Sequence, residues 1–162
     1  MTIKGQNAYG FLVKTILFIT LYLGGQNVSQ AQSVQSNELS KTNLYLDVGA
    51  IPGVQIAVNI ERRIHSGEKI TWYARAGAGF AGIVFGDGGP GGLAAATMLT
   101  GKSNNHFELS GGAFVGKDSG SNDTFAYPLL DIGYRYQKPA GGFIFKAKIG
   151  ILGTGIALGY AF

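Results

Sequence analysis

The chain is 162 residues long, with 27 glycines, 10 Phe, 8 Tyr, 1 Trp, no cysteine and 14% charged residues. Glycine stands far above its usual share of about 7% and charge far below the usual share of about 25%, which argues against an ordinary soluble helical domain. The missing cysteine excludes a disulfide scaffold and cysteine-based zinc, iron–sulfur or nucleophilic chemistry. The aromatic content excludes disorder, and the length suits one domain with a core.

Lys4 and Lys14 flank a polar start, and an apolar run from Thr15 to Leu23 precedes Gly24 and Gly25. That run is too short to cross a bilayer as a helix. Ser29 and Ala31 then occupy the small-residue positions a signal peptidase needs, so residues 1–31 read as a secretory signal peptide cleaved after Ala31. An amphipathic helix retained on the mature protein is the competing reading. No Cys follows, which excludes a lipoprotein anchor. Cleavage would remove two lysines and leave 11 basic against 9 acidic residues, a net charge of +2. The sequence pI of 9.3 is therefore no sign of nucleic-acid binding, and Arg62-Arg63 is the longest basic run. Residues 32–42 are polar and aperiodic and read as a flexible leader.

From Asn43 onward the dominant period is two, the mark of strands. Turn-forming clusters divide it into eight segments near 43–50, 54–64, 69–81, 92–101, 105–116, 125–137, 142–150 and 154–162. Each is about as long as a tilted membrane-spanning strand of roughly 9–11 residues. Connections at 65–68, 102–105 and 138–141 are short. The stretches 82–91 and 117–124 read as longer loops on the opposite side, while 51–53 and 151–153 are short for that side. Short turns on one side and longer loops on the other are what outer-membrane barrels show.

One parity of each strand is mostly apolar: Leu44, Leu46, Val48; Val54, Ile56, Val58, Ile60; Ile70, Trp72, Ala74, Ala76; Leu93, Ala95, Thr97, Leu99. It continues through Phe107, Leu109, Ala113, Val115; Leu130, Ile132, Tyr134, Tyr136; Phe143, Phe145, Ala147, Ile149; and Ile156, Leu158, Tyr160, Phe162. Such a face lines the interior of a soluble lipocalin-like barrel but meets lipid in a membrane barrel. The opposite parity mixes Gly and Ala with long polar residues, which fits the narrow, side-chain-filled interior of an eight-stranded barrel better than a water-exposed surface. Its charges balance: Asp47, Glu61, Glu108 and Asp131 stand against Arg75, Arg135, Lys146 and Lys148, as buried ions need. Trp72, Phe107, Tyr136, Phe143, Tyr160 and Phe162 share the apolar parity and lie near the short turns or the C-terminus, the pattern of an interfacial aromatic girdle. Strand propensity alone explains the abundance of aromatics, not their shared end and face.

On these residues the chain resembles the small eight-stranded outer-membrane β-barrel proteins of Gram-negative bacteria, over residues 43–162. The terminal Phe162, with Tyr160, Leu158 and Ile156 at alternate positions before it, resembles the signal read by the barrel-insertion machinery of that family, and Asp131 to Lys146 is similar to its penultimate hairpin. The expected class is an all-β, up-and-down antiparallel transmembrane barrel preceded by a signal peptide and located in the outer membrane. Its expected partners are outer-membrane lipids and the insertion machinery, with an extracellular ligand unknown and no nucleic acid.

The remaining motifs weigh little. Gly77-Ala-Gly79-Phe-Ala-Gly82 matches G-x-G-x-x-G, but the residues from Ile83 to Pro90 cannot form the helix that holds a pyrophosphate. Gly101-Lys102-Ser103 resembles a relaxed phosphate loop, with Ala96 in place of its first glycine and a strand where a helix is required. His65 and His106 are the only histidines, too few for a three-histidine metal site. Ser103, His106 and Glu108 carry the residue types of a lipid hydrolase, but His106 and Glu108 point to the lumen, away from lipid substrates. Loop 117–124, with Asp118 and Asp123, lacks the spacing of a calcium loop. No catalytic, cofactor or metal site is expected. The leading expectation is a barrel with a packed polar lumen and a structural or surface-interaction role through its loops. A narrow low-conductance pore, a lipid-modifying enzyme and a soluble secreted barrel are the alternatives.

Overall fold

The computed structural model describes residues 38–84 and 86–162. The expected signal peptide, residues 1–31, and most of the expected leader lie outside these residues. Eight strands follow in chain order: β1 (Thr42–Ala50), β2 (Gly53–Ser66), β3 (Ile70–Ile83), β4 (Gly88–Thr100), β5 (Asn105–Lys117), β6 (Thr124–Gln137), β7 (Gly142–Gly150) and β8 (Gly153–Ala161). Each is antiparallel to its sequence neighbour, and β8 pairs back onto β1 in a continuous register from Asn43↔Ala161 to Ala50↔Thr154. The result is a closed barrel with no free sheet edge, which lets a cysteine-free chain do without cross-links.

The two-residue period sets the faces. On β1, Leu44, Leu46 and Val48 are exposed while Tyr45, Asp47 and Gly49 are buried, and β2, β3 and β5 to β8 follow the parity expected from their sequences. Strand β4 reverses it. Leu93, Thr97 and Leu99 point inward and are buried, whereas Ala94 and Ala96 are exposed. The sequence of β4, GGPGGLAAATMLT, is small or apolar at both parities, so alternation carries no information there. Packing across the interior decides instead: Leu93 joins Phe114, Phe125 and Leu129, and Leu99 joins Leu39 and Tyr73.

Loop lengths are the second departure. The expected long loops shrink to 84–87 and 118–123; in the first, Gly88 to Gly91 are not loop but strand, paired through Ala81↔Gly89, Phe80↔Pro90 and Gly79↔Gly91. Glycine serves close approach here rather than turning: a Cβ on Gly91 would collide with the carbonyl oxygen of Val115. The barrel is lopsided as a consequence. Strands β2 to β6 have 13–14 residues and β7, β8 and β1 have 9. The last β6–β7 pair is Asp131↔Gly150, so residues 124–130 of β6 continue above the rim formed by β7 and β8.

Adjacent glycines on β5 show how tightly this wall is curved. A Cβ on Gly112 would collide with the Ala94 carbonyl oxygen and lie 2.6 Å from Ala95 Cα, whereas a Cβ on Gly111 meets nothing within 4 Å. Gly112→Ala is therefore expected to cost about 1–3 kcal/mol through overpacking against rigid backbone. Gly111→Ala should be neutral or gain about 0.4–1 kcal/mol by restricting the unfolded chain. Urea titration of the two refolded variants checks the contrast, and equal midpoints would contradict it.

The candidate functional site, a layered lumen

The interior is built in layers. At its centre lie the four acids and four bases expected from the inward parity, all buried, in two neutral quartets. Arg135, on β6, carries the first: its Nη1 donates to Glu61 Oε2 at 2.8 Å, Nη2 to Glu61 Oε1 at 2.9 Å and Nε to Glu108 Oε2 at 2.6 Å. Lys146 Nζ completes it, 2.6 Å from Glu108 Oε1 and 3.9 Å from Glu61 Oε1. In the second, Arg75 Nη2 and Lys148 Nζ both donate to Asp47 Oδ2 at 2.8 Å, and both reach Asp131 Oδ2, at 3.5 and 3.3 Å. Every charge thus meets opposite charge from a different strand, which is what makes its burial tolerable.

Neutral polar groups bind the quartets into the wall. Tyr45 donates to Glu61 Oε1 at 2.6 Å, and its ring stands between the quartets, with Arg75 at 5.6 Å, Arg135 at 5.8 Å and Lys146 Nζ at 4.2 Å from its centroid. Asn59 Oδ1 accepts from Arg75 Nε at 2.9 Å, and Gln55 Oε1 from Lys148 Nζ at 3.0 Å. Asn43 donates to Glu61 Oε2 at 3.2 Å and accepts from Gln137 Nε2 at 3.1 Å. The second quartet is less fully bonded, since Asp47 Oδ1, Asp131 Oδ1 and Gln55 Nε2 have no protein partner. Asn43 and Gln137 share the inward parity at the ends of the expected segments 43–50 and 125–137, so alternation alone marks both as inward. Thr97, hydrogen-bonded to Ser110 at 2.9 Å, was hidden by the uninformative pattern of β4.

Apolar layers close both ends. At the end with loops 84–87 and 118–123, Leu93, Phe114, Phe125 and Leu129 form one buried cluster with Ala57, Ala81 and Leu152, the last folded inward from the β7–β8 turn. At the short-turn end Leu39 packs on Tyr73 and Leu99. The leader expected to be flexible through residue 42 thus becomes part of the barrel at Leu39, which is 2% exposed. Arg63 fixes it there by bonding the Leu39 carbonyl and pairing with Glu38 at 2.9 Å, while Tyr73 donates to the Ser40 carbonyl at 2.9 Å. An isolated leucine in a polar stretch gives little sign of this role.

The hydrolase residues face different partners. Ser103 Oγ donates to the Asn105 carbonyl at 3.4 Å, His106 lies between the carbonyls of Thr100 and Gln137 at 2.8 and 3.1 Å, and Glu108 is held by Arg135 and Lys146. Gly77 to Gly82 lie wholly within β3, and Gly101 to Ser103 within the β4–β5 turn. The aromatics Trp72, Phe107, Phe143, Tyr160 and Phe162 are exposed on the outer face near the short-turn end, and Tyr136 is half-buried there. Among the described residues no group of three or more His, Cys, Asp or Glu is placed to hold a metal ion.

In loop 118–123, Asp118 serves the backbone. Its carboxylate accepts from the amides of Gly88, Ser121 and Gly120 at 2.8–2.9 Å. These donors, Gly88 first, stabilise the charged form and hold its pKa down at about 2, below the ordinary 3.8. A depressed carboxylate supports the folded loop fully above its unfolded pKa and loses that support as pH falls through the folded one. Protection of the Gly120 and Ser121 amides from hydrogen exchange should therefore hold from pH 7 to about pH 4 and decline from there towards pH 2. Protection that survives below pH 2, or an Asp118→Asn variant with the same pH profile, would contradict this role.

No family model, curated protein or solved structure matches the chain. Fold and lumen define the class alone: an all-β, closed, eight-stranded antiparallel barrel with an ion-paired interior capped by apolar layers.

Proposed function

We propose that the protein is an integral outer-membrane β-barrel with a sealed lumen, acting as a structural or surface-presenting element. One observation carries the reading: the distribution of polarity is inverted relative to a water-soluble barrel. Leu, Ile, Val and aromatic side chains cover the outside of seven strands at roughly 36–64% exposure, while eight charges are enclosed. A continuous apolar surface of this kind needs lipid rather than water. Around the wall from β5 to β1 it includes an open apolar depression of about 890 Å³, lined among others by Phe107, Ile132, Tyr134, Ala147, Ile156 and Val48, a shape that mobile acyl chains can fill. The signal-like segment 1–31 and the alternation of Ile156, Leu158, Tyr160 and Phe162 support export and insertion by the same reading.

The apolar caps and long basic side chains favour a plugged lumen over a narrow pore. The part offered to the outside is the tall β3–β6 wall, whose loops are tied together: Ser119 N–H donates to the Gly88 carbonyl at 2.9 Å and Tyr127 Oη to the Asp87 carbonyl at 2.8 Å. That makes a preorganised patch rather than long adaptable loops. No catalytic role is proposed. Cell fractionation with a heat-modifiability gel tests the location. The protein should partition with the outer membrane and shift in mobility on boiling; a soluble periplasmic protein without a shift would sink the proposal. Planar-bilayer recordings should show no sustained openings, and steady channels would defeat the sealed lumen.

A further inference from the structure

The charges outside the lumen are segregated along the barrel. Each of the three short turns carries one lysine: Lys69 between β2 and β3, Lys102 between β4 and β5, Lys138 between β6 and β7. Lys41, just before β1, and Arg62, near the same end of β2, are exposed beside them. The acids at this end are Glu38 and Glu68, and Glu38 is taken by Arg63 in the one ion pair outside the lumen among the described residues. Among side chains, five basic groups therefore face one unpaired acid, Glu68. The opposite end has the reverse sign, with Asp87, Asp118 and Asp123 against Lys117. The modest net charge of the exported chain conceals this polarity.

We propose that the short-turn rim is a collar for anionic phospholipid headgroups, an inference that rests on the membrane reading above. Charge complementarity selects the partner, and the aromatics set the depth. Trp and Tyr side chains seat at headgroup level, and Trp72, Tyr136, Phe143 and Tyr160 ring the outer face at this same end. The lysines lie in the turns just beyond them, where flexible ammonium groups reach lipid phosphates while their stems stay on apolar surface. Trp72 sits among three of the cations. Lys69 enters the same strand, the Lys69 carbonyl accepts the Gly101 N–H at 2.8 Å so that Lys102 lies alongside, and Arg62 is paired with Ala74, two residues up the same outer face. Each basic group near an anionic surface is worth about fivefold in partitioning at low salt, and screening shortens its reach as salt rises.

Trp72 is the sole tryptophan, so its fluorescence reports the lipid beside the collar. The protein is refolded into vesicles of equal parts phosphatidylcholine and phosphatidylglycerol, with bromine on the chains of one lipid or the other. The expected result is stronger quenching by brominated phosphatidylglycerol, corresponding to an enrichment of about threefold or more. It should fall towards parity in 1 M salt and in the variant Arg62→Gln/Lys69→Gln/Lys102→Gln, in which Arg62 and Lys69 are exposed and Lys102 is half-buried. Equal quenching by the two lipids would overturn the collar while leaving the protein in the membrane. A preference that survives in the triple variant would overturn the assignment to these residues. Absence of quenching by either lipid would remove the membrane reading itself, and the collar with it.

Discussion

Replacing Arg135 with Met is expected to destabilise the barrel by about 3–5 kcal/mol, because it leaves uncompensated charge in a buried interior. Arg135 is fully enclosed and supplies three of the bonds that hold Glu61 and Glu108. Without it, Lys146 stands alone against both carboxylates, 2.6 Å from one and 3.9 Å from the other. The test is a double-mutant cycle. Adding Glu61→Gln to Arg135→Met leaves Glu108 paired with Lys146 as a neutral couple, so the double variant should recover part of the loss. Urea unfolding of the refolded proteins measures all corners of the cycle. A loss under about 1 kcal/mol for Arg135→Met, or strict additivity of the two changes, would mean that the quartet is not a coupled unit. Arg75→Met should cost less: its contact to Asp131 is long, at 3.5 Å, and Lys148 already reaches both aspartates of its quartet.

The layered lumen explains which parts of the molecule were legible in the sequence. A strand that is charged on one face and apolar on the other declares its orientation, and β1, β2 and β6 do so through Asp47, Glu61, Asp131 and Arg135. The balance of charge needs no knowledge of register, because a closed interior admits ions in neutral sets. β4 declares nothing, since alanine, glycine, leucine and methionine fit either face, and its orientation goes with the packing of Leu93 and Leu99 into buried clusters formed by other strands. The same holds for the caps. Phe114, Phe125, Leu129 and Leu152 are inward but apolar, so parity placed beside chemistry gives no contrast that marks them as interior. Leu39 acts across the barrel mouth, on Tyr73 and Leu99, and no local period encodes a contact of that sequence separation. Glycine misled at 88–91 for a related reason: the residue that marks turns by its freedom also marks strands that crowd each other's backbones.

The outward face yields the second large effect. Ile132 is 49% exposed, lies between Leu109 of β5 and Ile149 of β7 in the register, and sits near the middle of β6. If the apolar wall meets lipid, Ile132→Arg places a guanidinium in hydrocarbon with the inward quartets closed to it, and the expected cost is about 2–4 kcal/mol. In a soluble barrel the same arginine would project into water, where surface substitutions stay within about 0.5 kcal/mol. Depth supplies a control that simple damage to folding does not. Moving the arginine on the same outer parity to Tyr136, beside the short turns, should bring the cost of the charge down to about 0–1 kcal/mol once the truncation Tyr136→Ala is subtracted. A steep fall in cost from position 132 to position 136 means a hydrocarbon slab around the strand. Near-equal, small costs at both positions would mean that water bathes the outer face, and the membrane reading would fail with it.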